Sequence, residues 1–265
     1  LIEKCQDFKL IDHAEVLKSL DALARQYPQE LVKTQLDDVG RIAFNIGLVV
    51  ARAGTGSTIC DIGGGVGLFA PGCSSLGLKA IVVDDFRDDV NLSLGKSALA
   101  VHNCLGVTII DRDVIKDGLG LAANSLDVVT SFDSMEHWHH SPKQLFQEVM
   151  RTLKPGGFFI LSVPNCVNLR KRITVPLGFG KWSSMEEWYE KPVFRGHVRE
   201  PDLADLKYIA ADMGLTETVY LGKNWLGHGN SRPIVRISTA FFDPILQHFP
   251  YLCSDLYLIG KKPGK

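Results

Sequence analysis

A chain of 265 residues suits one large domain, or one domain with additions, at the usual ~100 to 200 residues per domain. Its 45% hydrophobic, 22% charged and 9% aromatic content excludes a disordered, collagen-like or disulfide-stapled chain. With 29 Lys and Arg against 30 Asp and Glu, the net charge of −1 gives no global field toward DNA, RNA or an anionic membrane, although a local basic patch stays open. Cysteines at 5, 60, 73, 104, 166 and 253 show no C-x-x-C spacing and are too sparse for a disulfide framework, so reduced thiols in a cytoplasmic protein are expected. No apolar run reaches the ~18 residues of a membrane helix, so no integral membrane segment is expected. Residues 1–10 are too polar for a signal peptide, and the opening on Leu1 rather than Met leaves room for a preceding segment.

In chain order, helical spacing of Val16, Leu17, Leu20 and Leu23 predicts a helix over 12–27, and Leu31, Leu36, Val39, Ile42 and Ile46 predict another over 28–53. These form an N-terminal helical extension, 1–57. From residue 58 short β-branched runs alternate with helical stretches, the signature of a doubly wound α/β sheet covered on both faces. The strands fall at 58–62, 80–84, 107–110, 126–132 and 158–163, and the helices at 66–76, 90–103 and 142–153. Lys154-Pro155-Gly156-Gly157 stops the last of these helices. Periodicity fails over 164–200, a length of irregular chain that is usually functional. A helix over 201–213 with Pro at its first turn, a strand over 215–221, a polar loop over 223–232 leading to the stretch 234–249, and a strand over 255–259 complete the chain.

The strongest chemical signal is Ile59-Cys60-Asp61-Ile62-Gly63-Gly64-Gly65-Val66-Gly67, a strand that ends in an acid and breaks into glycines before a helix. Glycines let a backbone approach a ligand without a Cβ clash, and a helix start offers free N–H groups. Counted from Gly65, the spacing to Ala70 satisfies the alanine variant of the dinucleotide pattern, so the glycines alone leave NAD open. Asp84 ends the next apolar run beside this turn, where a carboxylate can accept both ribose hydroxyls, and Asp85 could share the role. Asp113, in Asp111-Arg112-Asp113-Val114 after the third strand, is placed to meet an adenine amino group; an ordinary turn is the equal alternative.

In this order the motifs resemble the class I S-adenosylmethionine-dependent methyltransferases, in their small-molecule and glycan (type 11/23-like) branch. The match runs over 58–164 and includes Asp61-x-Gly63-x-Gly65-x-Gly67, Asp84, Asp113, Ser125-Leu126-Asp127-Val128-Val129, Met135-Glu136-His137 and Arg151-Thr152-Leu153-Lys154-Pro155-Gly156-Gly157. The resemblance implies a Rossmann-like, seven-stranded, mainly parallel sheet whose antiparallel last strand is 255–259. It makes 58–265 the methyltransferase domain and 165–200 a substrate cover insertion, and it demotes NAD in favour of S-adenosylmethionine. Carried over by position, Asp61, Gly63, Gly65 and Gly67 form the cofactor turn, and Asp84 or Asp85 holds the ribose. Asp113 and Val114 meet the adenine, and Phe132 and Asp133 line the opening for methyl transfer. Asp84-Asp85-Phe86 departs from the family's usual D-x-S turn.

A hydroxyl acceptor must lose a proton, and His137 suits that role because an imidazole titrates near neutral pH; the alternative is that Glu136 and His137 organise the loop. His197, in Arg195-Gly196-His197-Val198-Arg199, is the second candidate base. His137-Trp138-His139-His140 fits no standard ligand spacing and no metal is expected, a hard-ion site at Asp133 as in some metal-dependent sugar methyltransferases being the alternative. Trp182, Trp188 and Tyr189 are expected to wall a sugar or ring substrate, and Leu169-Arg170-Lys171-Arg172 is either a solvated turn or a phosphate contact. The implied activity is methyl transfer to a hydroxyl of a small molecule, with a saccharide or glycan precursor first. A quinone, polyketide or other aromatic acceptor, or a non-catalytic cofactor-binding module, are the alternatives. The sequence defines no oligomeric state.

Overall fold

A computed structural model describes residues 13–180 and 183–264. The expected helix start at Asp12 and the aromatic Trp182 lie outside the described residues. Two antiparallel helices, α1 (His13–Ala24) and α2 (Gln29–Ala53), precede a sheet of seven strands. These are β1 (Thr58–Ile62), β2 (Lys79–Asp84), β3 (Thr108–Asp111), β4 (Leu126–Phe132), β5 (Leu153–Pro164), β6 (Thr216–Lys223) and β7 (Asp255–Lys261).

Their order across the sheet is β3-β2-β1-β4-β5-β7-β6. β1 to β5 pair in parallel, and β7 runs antiparallel to both β5 and β6. The antiparallel last strand is therefore as expected, inserted between β5 and β6. Alternation along the strands feeds two layers. Ile59, Val82, Val128 and Ile160 pack with Leu20 of α1, Ile46 of α2 and Phe69 of α3 (Phe69–Ser75). Cys60, Val83, Val129 and Leu161 pack on the other face with Val149 of the helix Lys143–Thr152 and Leu206 of the helix Leu203–Asp212.

Three expectations change. The helix over 90–103 is broken into Asp89–Leu94, a 3-10 turn Gly95–Leu99 and Ala100–Cys104, because Gly95 takes φ +54, outside helical space. Lys154 to Gly157 do not separate helix from strand: the helix ends at Thr152, and these residues bulge within β5, where pairing jumps from Leu126↔Leu153 to Val128↔Phe158. The helix expected from Pro201 starts at Leu203, because Asp202 is the cap; its carboxylate accepts the Ala204 and Asp205 N–H groups and Asp205 reciprocates. The irregular cover also holds two short helices, Leu169–Thr174 and Met185–Tyr189.

A buried polar link ties the N-terminal helices to the sheet. The Tyr257 hydroxyl donates to Asn45 Oδ1 of α2 (3.0 Å) and accepts from Trp225 Nε1 (2.8 Å), with Tyr257 and Asn45 each 1% exposed. Tyr257→Phe leaves both partners unsatisfied, which costs about 1–3 kcal/mol. Denaturant melts of the variant are expected to show that loss with an unchanged m-value.

Candidate functional site

The strand order reverses direction between β1 and β4, so the crevice beyond their carboxyl ends is the natural ligand position of such a sheet. A cleft of about 480 Å³ opens there, within the ~300–1,000 Å³ range of small-molecule sites.

The turn after β1 makes the floor. Gly63 takes φ +71, and a Cβ on it would lie 1.9 Å from Ser134 Oγ, so no other residue fits. At Gly65 (φ +51) the one atom within 4 Å of such a Cβ is Asp84 Oδ2, which leaves the space over the turn open. The Gly65 N–H donates to Asp84 Oδ2 (3.0 Å) and the Phe86 N–H to Asp84 Oδ1 (2.8 Å), so one carboxylate binds the β1 turn to the end of β2. Burial raises the Asp84 pKa above the ordinary aspartate value while these two donors oppose the rise.

The site residues divide by position. Gly63, Asp84, Asp85, Asp113, Val114, Asp133 and His137 line the cleft together. Asp61 lies beneath the turn with its Oδ1 accepting from Thr130 Oγ1 (2.7 Å), and burial pushes its carboxyl up to about 7. Gly67 sits behind the turn, where its carbonyl accepts from the Tyr27 hydroxyl (3.2 Å). Phe132 is packed edge-on against Phe69, with ring centroids 4.9 Å apart, and is not among the cleft-lining residues. Asp113 caps the short helix Val114–Asp117, accepting from the Ile115 and Lys116 N–H groups, and pairs with Lys116 Nζ (2.7 Å). Trp188 and Tyr189 stand 57% and 72% exposed, away from the cleft, and its apolar wall is Trp138 with Val193 and Phe194.

Contacts that the sequence pattern missed come from α2. Arg41 forms an ion pair with Asp133, which holds φ +49, a left-handed conformation rare outside glycine, and Gln35 Nε2 reaches the Val66 carbonyl (3.5 Å). Arg41 and Asp133 are 92 positions apart, so no spacing rule could pair them.

Beside the cleft, the 3-10 turn Met135–His137 meets the cover. His137 Nδ1 lies 2.8 Å from the Arg195 carbonyl, which can only accept, so Nδ1 carries the proton and Nε2 keeps its lone pair. Burial holds the His137 pKa below its ordinary 6.5. His197, edge-on at 4.9 Å between ring centroids, bonds Glu200 Oε1 through Nδ1 (2.8 Å) and is shifted the other way, upward. Lys171 and His197 hold the Glu200 carboxyl down at about 2 despite its burial. Glu136 is 1% exposed, its Oε2 has no hydrogen-bond partner among the described residues, and burial pushes its carboxyl up to about 8. One donor atom from each of Glu136, His137 and His197 lies within 4.8 Å of the other two, the trio among the described residues that could hold a cation.

A parallel sheet with one reversed strand at this position, a glycine turn after β1 and an acid ending β2 define a class I S-adenosylmethionine-dependent methyltransferase fold. Residues 35–219 match the methyltransferase domain family of type 23, and the chain belongs to that family. An uncharacterised methyltransferase of Mycobacterium bovis is 32% identical over 111 residues, which cover 40% of this chain and 39% of that protein. The chain thus aligns with about two fifths of the curated relatives' length. A S-adenosylmethionine-dependent methyltransferase structure from Archaeoglobus fulgidus superposes with a TM-score of 0.52 at 19% identity, covering 84% of this chain and 92% of that one. Phosphoethanolamine N-methyltransferase 2 of Haemonchus contortus, solved with S-adenosylmethionine, gives 0.51 at 20% identity over 83% of this chain and 52% of that one.

The cleft suits that cofactor. Asp84, Asp85, Asp88, Asp113 and Asp133 line it beside Arg112, Lys116 and Arg195, a lining with more acids than bases that favours a ligand with sulfonium and ammonium charges over a pyrophosphate. The Gly65 N–H that a dinucleotide pyrophosphate would need is taken by Asp84.

Between pH ~4.5 and ~8 the unfolded state ionises Glu136 while the folded state keeps it protonated, so its contribution to stability is lost as pH rises through that window. Glu136→Gln is expected to raise the Tm at pH 8, by on the order of 2 kcal/mol of stability, with the gain gone at pH 4 in parallel thermal melts.

Proposed function

We propose that the protein moves a methyl group from S-adenosylmethionine to a hydroxyl of a small molecule, with saccharides and glycan precursors as the first acceptors to test. The observation that carries this reading is His137, a cleft-lining imidazole kept neutral and in one tautomer beside the acid-lined cofactor cleft. Bound there, the cofactor supplies an electrophilic methyl group on a sulfonium.

Each residue's part follows from its place. The open space over Gly65, beside Gly63 at the cleft wall, admits the methionine end, and the remaining lone pairs of Asp84, with Asp85 beside it, accept ribose hydroxyls. Asp113 and the start of the helix at Val114 face the adenine position. Arg41 holds Asp133 at the cleft wall, and Ser162 Oγ donates to its other oxygen (3.2 Å).

His137 and His197 take different parts. The Arg195 carbonyl fixes His137 with Nε2 free, so it receives the acceptor's proton as an in-line attack aligns, provided the reactants are held at ~3 to 3.5 Å. The ionised Glu200 favours the charged form of His197, so a larger share of this ring already carries the proton that a general base must accept. The wall of Trp138, Val193 and Phe194 supports a second reading, a planar quinone or polyketide acceptor.

Calorimetry of wild type and Asp84→Ala with S-adenosylmethionine, S-adenosylhomocysteine and NAD tests the cofactor assignment. Binding of the first two alone, weakened at least about tenfold in the variant, is expected; NAD binding alone overturns it.

With an acceptor found, His137→Ala is expected to lower kcat about 100-fold or more with little change in cofactor affinity. Wild-type kcat/KM should rise through a pKa below 6.5 and stay level at neutral pH. Turnover unchanged in the variant removes His137 from proton transfer. Turnover abolished by a chelator and restored by a divalent metal reassigns Glu136, His137 and His197 to metal binding.

A further inference from the structure

The helix Pro233–Leu246 is attached to the protein by the wrong face for a core helix. Of its 14 residues Asp243 is the buried one. Asp243 Oδ1 accepts from Asn224 Nδ2 (2.6 Å), and Oδ2 accepts from His228 Nε2 and Gln247 Nε2 (both 2.8 Å). At 100° per residue, Asp243 lies opposite Ile234 on the helical wheel. Ile234, Ile237, Phe241 and Ile245 form the stripe that points away from this anchor, and they are 73%, 68%, 72% and 60% exposed. A surface helix of a globular domain normally turns such a stripe inward.

The surface continues into the cover. Phe249 and Tyr251 follow the helix, and the Arg172 guanidinium lies over the Tyr251 ring at 5.8 Å, joining it to the helix Leu169–Thr174. Beyond, Ile173, Leu177 and Phe179 are 58%, 67% and 67% exposed. The far end of the same cover, residues 193–195, lines the cleft.

Charge decides what such a surface meets. Residues 166–180 and 229–252 carry Arg170, Lys171, Arg172, Arg232 and Arg236, and their one acid, Asp243, is buried, in a chain whose net charge is −1. Lys171 is held by Glu200, while Arg170, Arg172, Arg232 and Arg236 are exposed. A second copy docked face to face on these two segments would set arginines against arginines, with no exposed acid in either segment to meet them. An anionic bilayer offers what this face lacks: an acyl boundary for the apolar stripe and phosphates for the guanidinium groups. At 14 residues the helix is too short to span a membrane, and no helix among the described residues is long and apolar enough to do so, so it lies in the interfacial plane.

We infer that the face formed by the helix Pro233–Leu246 and the outer cover docks on an anionic lipid surface, so that the cleft draws its acceptor from the membrane interface. The docking stands on these exposed residues alone, and only the nature of the acceptor rests on the methyltransferase reading.

Co-sedimentation of the 265-residue chain with vesicles of phosphatidylcholine containing phosphatidylglycerol, and with phosphatidylcholine alone, tests it. Binding to the anionic vesicles is expected, falling with added salt, and at least about tenfold weaker in Ile237→Ser/Phe241→Ser and in Arg232→Gln/Arg236→Gln. Both double variants should bind S-adenosylhomocysteine as wild type does, which shows that they fold and separates failure of docking from failure of the cofactor assignment. No binding to anionic vesicles, or binding that the variants leave unchanged, overturns the inference. So does a concentration-dependent dimer in light scattering that the same variants abolish without any vesicle binding.

Discussion

One carboxylate organises the ligand cleft. Asp84 ends β2 and spends both oxygens on backbone N–H groups, those of Gly65 and Phe86. Together with the Gly63 N–H donating to the Val83 carbonyl (2.9 Å) and the Gly67 N–H to the Gly64 carbonyl (3.0 Å), this ties the turn after β1 to the neighbouring strand in a conformation with positive φ at Gly63 and Gly65. Without this link the glycines would carry a large backbone entropy cost and no fixed ligand surface. The carboxylate is buried and paired, so its orientation is fixed by the fold itself.

The helices before the sheet brace the same turn from the opposite side. Tyr27 and Gln35 donate to carbonyls of Gly67 and Val66, and Arg41 holds Asp133 at the end of β4. The match to the methyltransferase domain family begins at residue 35, inside α2. α2 is thus part of the cleft's construction as well as a cover of the sheet. The ion pair also explains how Asp133 keeps a left-handed backbone at the cleft wall: its carboxylate and N–H are both engaged, by Arg41, Ser162 Oγ and the Ser162 carbonyl.

Two histidines whose rings meet edge-on are given opposite electrostatics by their partners. A carbonyl on His137 sets a tautomer without adding charge, and burial then lowers its proton affinity; a carboxylate on His197 raises it. Glu136 lies between them, buried and protonated at neutral pH, its backbone carbonyl accepting from the Val198 N–H (2.7 Å) and thereby stitching the turn after β4 to the cover. The cover thus has an inner end built on polar contacts at the cleft and an outer surface of exposed apolar and basic side chains.

Local pattern determined the sheet, because strand alternation, glycine turns and strand-ending acids are recorded in neighbouring residues. β1 and β4 fall at the expected positions, and Gly63, Asp84, Asp113 and Asp133 each follow or end a strand whose register brings it to one edge. What was misread locally also had a local cause: Gly95 breaks a helix whose apolar spacing reads as continuous, and Pro155 with its two glycines bulges a strand that it was expected to precede. Tertiary structure alone decided that Phe132 packs edge-on against Phe69, that Trp188 and Tyr189 face outward, that Arg41 meets Asp133, and that the apolar stripe of the helix Pro233–Leu246 turns away from the protein. Each depends on which face of an element meets a partner tens of residues away. Hydrophobic periodicity shows that a helix has an apolar face; only packing shows where that face is turned.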